Sequence, residues 1–382
     1  SRYVAVGDGF TAGFQDGALH AASQQTSYVT FIAGAAATPL ALPLVGEPGL
    51  PTPNTVTGLG LLVQRPNTCE YLGFDLATGR SVGRIDPSVT ATCVAVPFQT
   101  AALALEQKWS IVPGNPNDPD TFEDFVLGYP YTLHGGAPMT QIETAVALEP
   151  TFVTVWLGPT DVYNAVVAAD VNPATLTSPE DFDRKIGEAI DALAATGARG
   201  AVLNVPYATS TAVLLSQKDI RQRTGLTSKQ VKNRLGVLKS SFVTINSLRS
   251  IDRIAAGLAT GPLTDDEILT AQEMDRITTT IDAYNAILAA RARRAGWALV
   301  DLNALYARYE KRGVDVPGAG TLTTRYLGGL YGLDGLYPSN TGQALIAVAV
   351  LSAINEKYGT ALPLPNVAAV AASDPHVCTR TF

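Results

Sequence analysis

Five short apolar segments, separated by segments with helical patterning, constrain the fold of this chain more than any other feature. The segments are residues 3–6, 94–96, 152–157, 201–205 and 297–302. The third, FVTVWL, is apolar without alternation, which is typical of a strand in a parallel sheet that helices cover on both faces. Strands that alternate with helices predict an α/β sandwich with a mainly parallel, five-stranded sheet.

Capping residues mark several helix boundaries. Ser178 is followed by Pro and two acidic residues, which predicts a helix that begins there and ends at Gly197. Residues 270–295 predict a long amphipathic helix that Gly296 stops, and residues 343–358 predict the last helix. These helices supply the covering layers of the sheet.

Two long excursions interrupt the alternation. Residues 38–92 are rich in Pro and Gly and have little periodicity, which indicates a loop-rich insertion. Residues 210–262 form a second insertion, which we expect to be helical and basic. We expect residues 1–382 to form a single domain that carries both insertions.

Composition excludes several classes of protein. Apolar residues make up 46% of the chain and charged residues only 16%, and the mean hydropathy is +0.14, so intrinsic disorder is excluded. A net charge of -7 argues against a general nucleic-acid binder. The longest apolar stretches, residues 31–45 and 344–354, are interrupted by Pro or too short to span a membrane. We therefore expect a water-soluble protein with an unusually apolar surface, no nucleic-acid partner and no transmembrane segment.

The three cysteines leave two states open. Cys69 and Cys93 flank a loop-like stretch, and a bridge between them would close a loop of roughly 24 residues and stabilise the fold by about 3 kcal/mol in the chain-entropy model. Buried free thiols are the alternative. A disulfide would indicate an oxidising compartment, and Cys378 would then be buried or would link to a partner.

Three motifs contain glycine: GDGFTAG at residues 7–13, WLGPTDV at 156–162 and DGLYPSNTG at 334–342. The first follows the first predicted strand, the second lies at the end of the third, and the last precedes the last predicted helix. In order, spacing and flanks they resemble the motifs of the SGNH (GDSL-type) esterase and lipase family over nearly the whole chain. The stretches TGLGLLVQRPNTC and LNVPYATS resemble a bacterial secreted branch of that family. The resemblance implies a three-layer α/β/α sandwich and a secreted or cell-envelope protein, whose signal peptide is not part of this chain.

The resemblance also implies a catalytic chemistry, which this sequence lacks. The family uses a serine nucleophile, an oxyanion hole with a glycine and an asparagine, and a histidine base. Those four positions hold Gly9, Phe98, Thr160 and Tyr337. Losing a nucleophile or base from a serine hydrolase costs about 10⁶ in kcat. We therefore expect a pseudoenzyme, in which the rings of Phe98 and Tyr337 narrow or fill the cleft.

Three aspartates of the motifs remain. Together with the four replaced positions they define the relic pocket: Asp8, Gly9, Phe98, Thr160, Asp161, Asp334 and Tyr337. Thr11 and Ser339 are the nearby hydroxyls that could replace the nucleophile, although a tyrosine at position 337 is a poor base at neutral pH. The three histidines, His20, His134 and His376, are expected on loops or the surface.

A basic segment lies in the second insertion. Residues 216–253 contain nine basic residues and two acidic ones, 9 - 2 = +7. Such asymmetry can mark a surface that faces anions; the alternative is a solvated helical face that pairs with the chain's own acids. The candidate anion-binding residues are Arg221, Arg223, Lys229, Lys232 and Arg234. Their targets would be acidic glycans, lipid head groups or an acidic protein.

Three functions remain open at this stage. The first is an inactive binding or structural component of a cell-envelope assembly, with other envelope proteins or a second copy as partner. The second is a glycan- or lipid-binding module, in which Trp156, Tyr163 and Tyr326 stack on a ligand. The third is an active ester hydrolase with a relocated nucleophile. No metal-ligand spacing, phosphate loop or dinucleotide fingerprint is found, so we expect no cofactor and no metal.

Overall fold

The fold is taken from a computed structural model, which describes residues 2–47, 49–50, 55–56, 62–63, 74–75, 80–81, 83–109, 122–130 and 136–377. The strands are β1 Tyr3–Gly7, β2 Thr55–Val56, β3 Leu62–Val63, β4 Phe74–Asp75, β5 Arg80–Ser81, β6 Phe152–Trp156, β7 Arg199–Leu203, β8 Leu214–Ser216, β9 Phe242–Thr244, β10 Ile268–Leu269, β11 Ala298–Val300, β12 Val314–Val316 and β13 Gly320–Leu322. The helices are α1 Gly9–Ala12, α2 Ala21–Gln24, α3 Tyr28–Ala35, α4 Leu103–Glu106, α5 Phe122–Leu127, α6 Gln141–Ala147, α7 Pro159–Ala168, α8 Pro179–Ala194, α9 Gln217–Thr224, α10 Ser228–Gln230, α11 Leu248–Ala255, α12 Ala271–Ala295, α13 Leu302–Arg312, α14 Asn340–Tyr358 and α15 Val367–Ser373.

The central sheet has four parallel strands in the order β1-β6-β7-β11. All five residues of β1 are buried, as are the last four of β6 and of β7. Strands that are buried on both faces need helices on both sides. The predicted α/β class with a parallel sheet is therefore confirmed.

One of the five predicted strands, at residues 94–96, is only partly formed. Residues 92–96 run beside β1, where the Ala5 amide donates to Thr92 O at 3.0 Å and the Val94 amide donates to Ala5 O at 2.9 Å. On its other side the segment meets a loop, because the amides of Thr92 and Cys93 both donate to Ala41 O. The segment makes only an isolated bridge to β1, so the sheet has four strands and not five.

Helices pack against this sheet in two groups. Helices α6, α8 and α12 contact one another or the strands β1, β7 and β11, and α3 packs on α14, which also contacts β7 and β11. Ser178 caps α8 as predicted, accepting a hydrogen bond from the Asp181 amide at 3.1 Å. Buried apolar residues from Tyr3 to Val377 form one contiguous cluster.

The second insertion contains a small sheet in addition to its helices. Strands β8, β9 and β10 pair antiparallel in the order β10-β9-β8, with α9, α10, a π-helical turn at Val231–Leu235 and α11 around them. The prediction of a helical insertion was therefore incomplete. Strands of two or three residues are too short to show an alternating pattern in the sequence.

None of the helices in the described part of the chain has the length and hydrophobicity of a membrane-spanning segment.

Candidate functional site

Asp8 joins the first motif to the second at the carboxyl end of β1. Its Oδ1 accepts from the Phe10 amide at 3.1 Å and so caps α1, while its Oδ2 accepts from the amide and the hydroxyl of Thr160, at 3.1 and 2.9 Å. The side chain is fully buried. Burial raises the pKa of Asp8 to about 7, although the hydrogen bonds from Thr160 and Phe10 oppose that shift.

The ring of Tyr337 occupies the space beside Gly9. A Cβ atom built on Gly9 would lie 2.6 Å from Cε1 and 2.9 Å from the hydroxyl oxygen of Tyr337. The tyrosine is buried, and burial raises the pKa of its phenol well above the ordinary value of 10. Its hydroxyl is therefore neutral at physiological pH and cannot act as a base there.

Five rings pack together over this end of the sheet, and we call them the aromatic plug: Phe10, Phe14, Phe98, Phe122 and Tyr337. The centroid of the Tyr337 ring lies 4.7 Å from that of Phe10 and 4.9 Å from that of Phe14. Phe98 lies 5.2 Å from Phe14 and 5.6 Å from Phe122. Tilted and edge contacts at these distances are favourable for aromatic pairs. The plug covers the carboxyl ends of the strands with apolar side chains.

Phe98 has a backbone conformation that is unusual for a bulky residue. Its φ is +63°, in the left-handed region that favours glycine. The resemblance places a glycine of the family at this position. The side chain is still 37% exposed, so its ring forms the outer edge of the plug.

The carboxylates of Asp334 and Asp161 accept hydrogen bonds from backbone amides, and within the described residues neither is hydrogen-bonded to a histidine. Asp334 accepts from the amides of Gly17, Leu336 and Tyr337, at 3.0, 2.8 and 2.7 Å. Asp161 accepts from the Ala101 amide at 2.9 Å. Burial raises the pKa of Asp334 to about 6 and that of Asp161 to about 7.

Neither candidate substitute for the nucleophile is available. The hydroxyl of Thr11 is buried and lies 3.1 Å from that of Tyr28. The hydroxyl of Ser339 is also buried, donates to Gly329 O at 2.8 Å and accepts from the Gly342 amide as the cap of α14. Both hydroxyls serve local structure.

A histidine lies between two carboxylates at the edge of the relic pocket. The Nε2 atom of His376 lies 2.8 Å from Asp16 Oδ1, and its Nδ1 atom lies 3.0 Å from Asp374 Oδ1. Asp16 Oδ1 also accepts from the Leu333 amide at 2.6 Å, next to Asp334. We call Asp16, His376 and Asp374 the carboxylate–histidine clamp. It ties residues 374–377 to the segment after the first motif and, through the Leu333 amide, to the segment before the last motif.

His376 lies in a turn after α15, as expected for a loop residue, but its side chain is only 8% exposed and not on the surface. Burial alone would lower its pKa, but the hydrogen bonds and charges of Asp16 and Asp374 outweigh burial and raise it to about 10. No sequence pattern links Asp16 to His376 across 360 residues. His20 is half-buried and caps α2, and His134 lies outside the described residues.

Cys93 is a buried free thiol, 1% exposed, beside Ala5 of β1. Of the two states that the sequence leaves open for the cysteines, Cys93 has that of a buried free thiol. Burial raises the pKa of this thiol to about 11. Cys69 and Cys378 lie outside the described residues.

The five candidate anion-binding residues divide into two groups. Arg223 binds Asp252 in a bidentate ion pair at 2.8 and 2.6 Å, and Arg234 donates to the carbonyls of Ile254 and Ala255 at the end of α11. These two arginines hold the insertion together. Arg221, Lys229 and Lys232 are exposed.

Two cavities lie away from Gly9. One, of about 760 Å³, is lined by Asp161, Arg184, Lys185, Asp275 and Arg276, among others. The other, of about 450 Å³, is lined by Ser216, Arg223, Glu310, Arg325 and Tyr326, among others. Trp156 and Tyr163 are buried against Phe10, so they have no free face for stacking on a ligand. Among the described residues, no group of His, Cys, Asp and Glu side chains is arranged to hold a metal ion.

No protein-family model and no curated protein sequence matches this chain. Among solved structures, the chain is similar to the crystal structure of TesA, with a TM-score of 0.36 and 11% sequence identity over 93% of this chain and 98% of that one. A likeness at this level supports no statement about fold or function.

The clamp predicts a loss of stability at alkaline pH. Because the folded-state pKa of His376 is about 10 and its unfolded value is about 6.5, its contribution is complete below pH 6.5 and is lost as pH rises to 10. The slope from one such group is at most about 1.4 kcal/mol per pH unit. His376→Gln should remove this slope from the free energy of unfolding, measured in urea between pH 6 and 10.

His20→Gln is the matched control for this prediction. Burial lowers the pKa of His20, so that variant should retain the alkaline slope of the original protein. Equal slopes in the original protein and His376→Gln would show that the clamp does not hold a charged imidazole.

Proposed function

We propose that this protein is a catalytically inactive relative of the SGNH hydrolases that serves as a binding or structural component of a bacterial cell-envelope assembly. The observation that carries the proposal is the Tyr337 ring, which lies where the nucleophile's side chain would have to be. We name the family because the three motifs resemble it, and we expect no activity because its four catalytic positions hold other residues.

The geometry of the relic pocket supports inactivity at each step of ester hydrolysis. Gly9 has no nucleophilic atom, and Tyr337 is buried and neutral. The side chain of Thr160 donates to Asp8, so its hydroxyl does not point at a developing oxyanion. Ester hydrolysis needs a nucleophile, a base beside it and donors aimed at the oxyanion, and the pocket retains none of these groups in a usable arrangement.

The alternative function, an active or ligand-binding ester hydrolase with a non-standard site, has less support. A catalytic histidine needs one ring nitrogen beside the nucleophile and the other on an orienting group. Both ring nitrogens of His376 face carboxylates instead. The aromatic plug also fills the groove that a ligand of the family would use.

Inactivity predicts no turnover of p-nitrophenyl acetate or p-nitrophenyl butyrate and no labelling by a fluorophosphonate probe. The assay is run beside Thr11→Val and Ser339→Ala, which remove the two nearby hydroxyls. A contaminating hydrolase would give the same rate in all three preparations. Turnover or labelling that disappears in either variant would establish a relocated nucleophile and contradict the proposal.

A role in an assembly predicts a native mass above that of the 40.0 kDa monomer. Interface cores are depleted in charge, and this chain has only 16% charged residues. Light scattering on the purified protein detects self-association, and cross-linking in the native envelope followed by mass determination detects a fixed partner. A protein that is monomeric in light scattering and forms no cross-linked adduct would contradict the assembly role. That result would not bear on the proposed inactivity.

A further inference from the structure

Two leucines are exposed on adjoining loops of the second insertion. Leu238, in the turn before β9, is 46% exposed, and Leu258, in the loop after α11, is 72% exposed. The loops adjoin because the Leu263 amide donates to Leu235 O at 3.1 Å. Burying an aliphatic side chain of this size in an apolar environment gains roughly 1.5–3 kcal/mol relative to leaving it exposed.

Four exposed cations lie on these loops or on the elements that lead into them. Lys239 follows Leu238 directly, and Lys232 lies in the π-helical turn that precedes its loop. Arg253 extends its guanidinium to within 3.5 Å of Leu258 O, and Arg249 lies one helical turn earlier on α11. Within the described residues, none of the four forms an ion pair with a carboxylate. We call these six residues the leucine–cation face: Lys232, Leu238, Lys239, Arg249, Arg253 and Leu258.

The charge balance around this face is positive. The carboxylate of Asp252 is already bound by Arg223, and the acidic turn at residues 265–267 follows the second loop. Over residues 216–267 nine basic residues stand against five acidic ones, 9 - 5 = +4. A positive surface of this kind is attracted to an anionic one.

We propose that the leucine–cation face docks on the surface of an anionic phospholipid bilayer. Cations at a membrane surface gain from the negative potential of the lipid head groups, and aliphatic side chains beside them enter the boundary between head groups and acyl chains. A soluble polyanion would use the four cations and leave both leucines in water. Their joint exposure favours the bilayer. The inference is independent of whether the relic pocket is inactive, and it gives the protein a means of attachment to an envelope.

Co-sedimentation with lipid vesicles tests the proposal on the full chain. The vesicles contain either equal parts of phosphatidylglycerol and phosphatidylcholine or phosphatidylcholine alone, at low and at high salt. We expect binding to the anionic vesicles, and weaker binding at high salt, since the contact is partly electrostatic. Binding to the neutral vesicles should be weaker by about tenfold or more. Absence of binding to the anionic vesicles at low salt would overturn the proposal.

Variants separate the two components of the face. Leu238→Ser with Leu258→Ser should lower the vesicle partition coefficient roughly tenfold or more, whereas Leu364→Ser, at another exposed leucine, should not change it. Lys232→Gln with Lys239→Gln should weaken binding more than Lys311→Gln with Arg312→Gln. Thermal unfolding of every variant confirms that it is folded. If the leucine pair has no effect on the partition coefficient, the face binds anions without inserting and the proposal is wrong.

Discussion

The contact between the Tyr337 ring and Gly9 is the constraint on which the rest of the site depends. A ring that lies 2.6 Å from where the Cβ of residue 9 would be requires a glycine there. Phe10 and Phe14 hold that ring at centroid distances below 5 Å, so it has little freedom to move aside. The glycine and the tyrosine therefore act as one packed unit, and the proposed function depends on this unit.

The buried carboxylates explain how the loops at this end of the sheet keep their geometry. Asp8 joins α1 to α7 through Thr160, and Asp334 accepts three backbone amides. Each carboxylate accepts hydrogen bonds that the loop amides would otherwise make with water. This structural role does not require a serine or a histidine nearby. These aspartates therefore have a structural role in the loops that they join. Phe98 has a left-handed backbone conformation, which a glycine would adopt at lower cost.

Much of the sheet and part of the site could be predicted from the sequence. The buried run FVTVWL predicted β6, and Ser178 predicted the start of α8, because burial and capping act over a few neighbouring residues. The contacts of Phe14 and Phe122 with Phe98, and of Asp16 with His376, could not be predicted, since they join residues that are distant in the chain. The position of Cys93 in the core, where its thiol is free, likewise depends on the tertiary fold.

A double-mutant cycle on Gly9 and Tyr337 tests the central claim most directly. Gly9→Ala should lower the free energy of unfolding by about 1–3 kcal/mol, the usual cost of overpacking. In a Tyr337→Ala background the same change should be neutral or slightly stabilising, because alanine is the better helix former at the start of α1. The cycle then gives a coupling energy of at least about 1 kcal/mol. An equal cost for Gly9→Ala in both backgrounds would contradict the claim that the tyrosine ring occupies the place of a nucleophile.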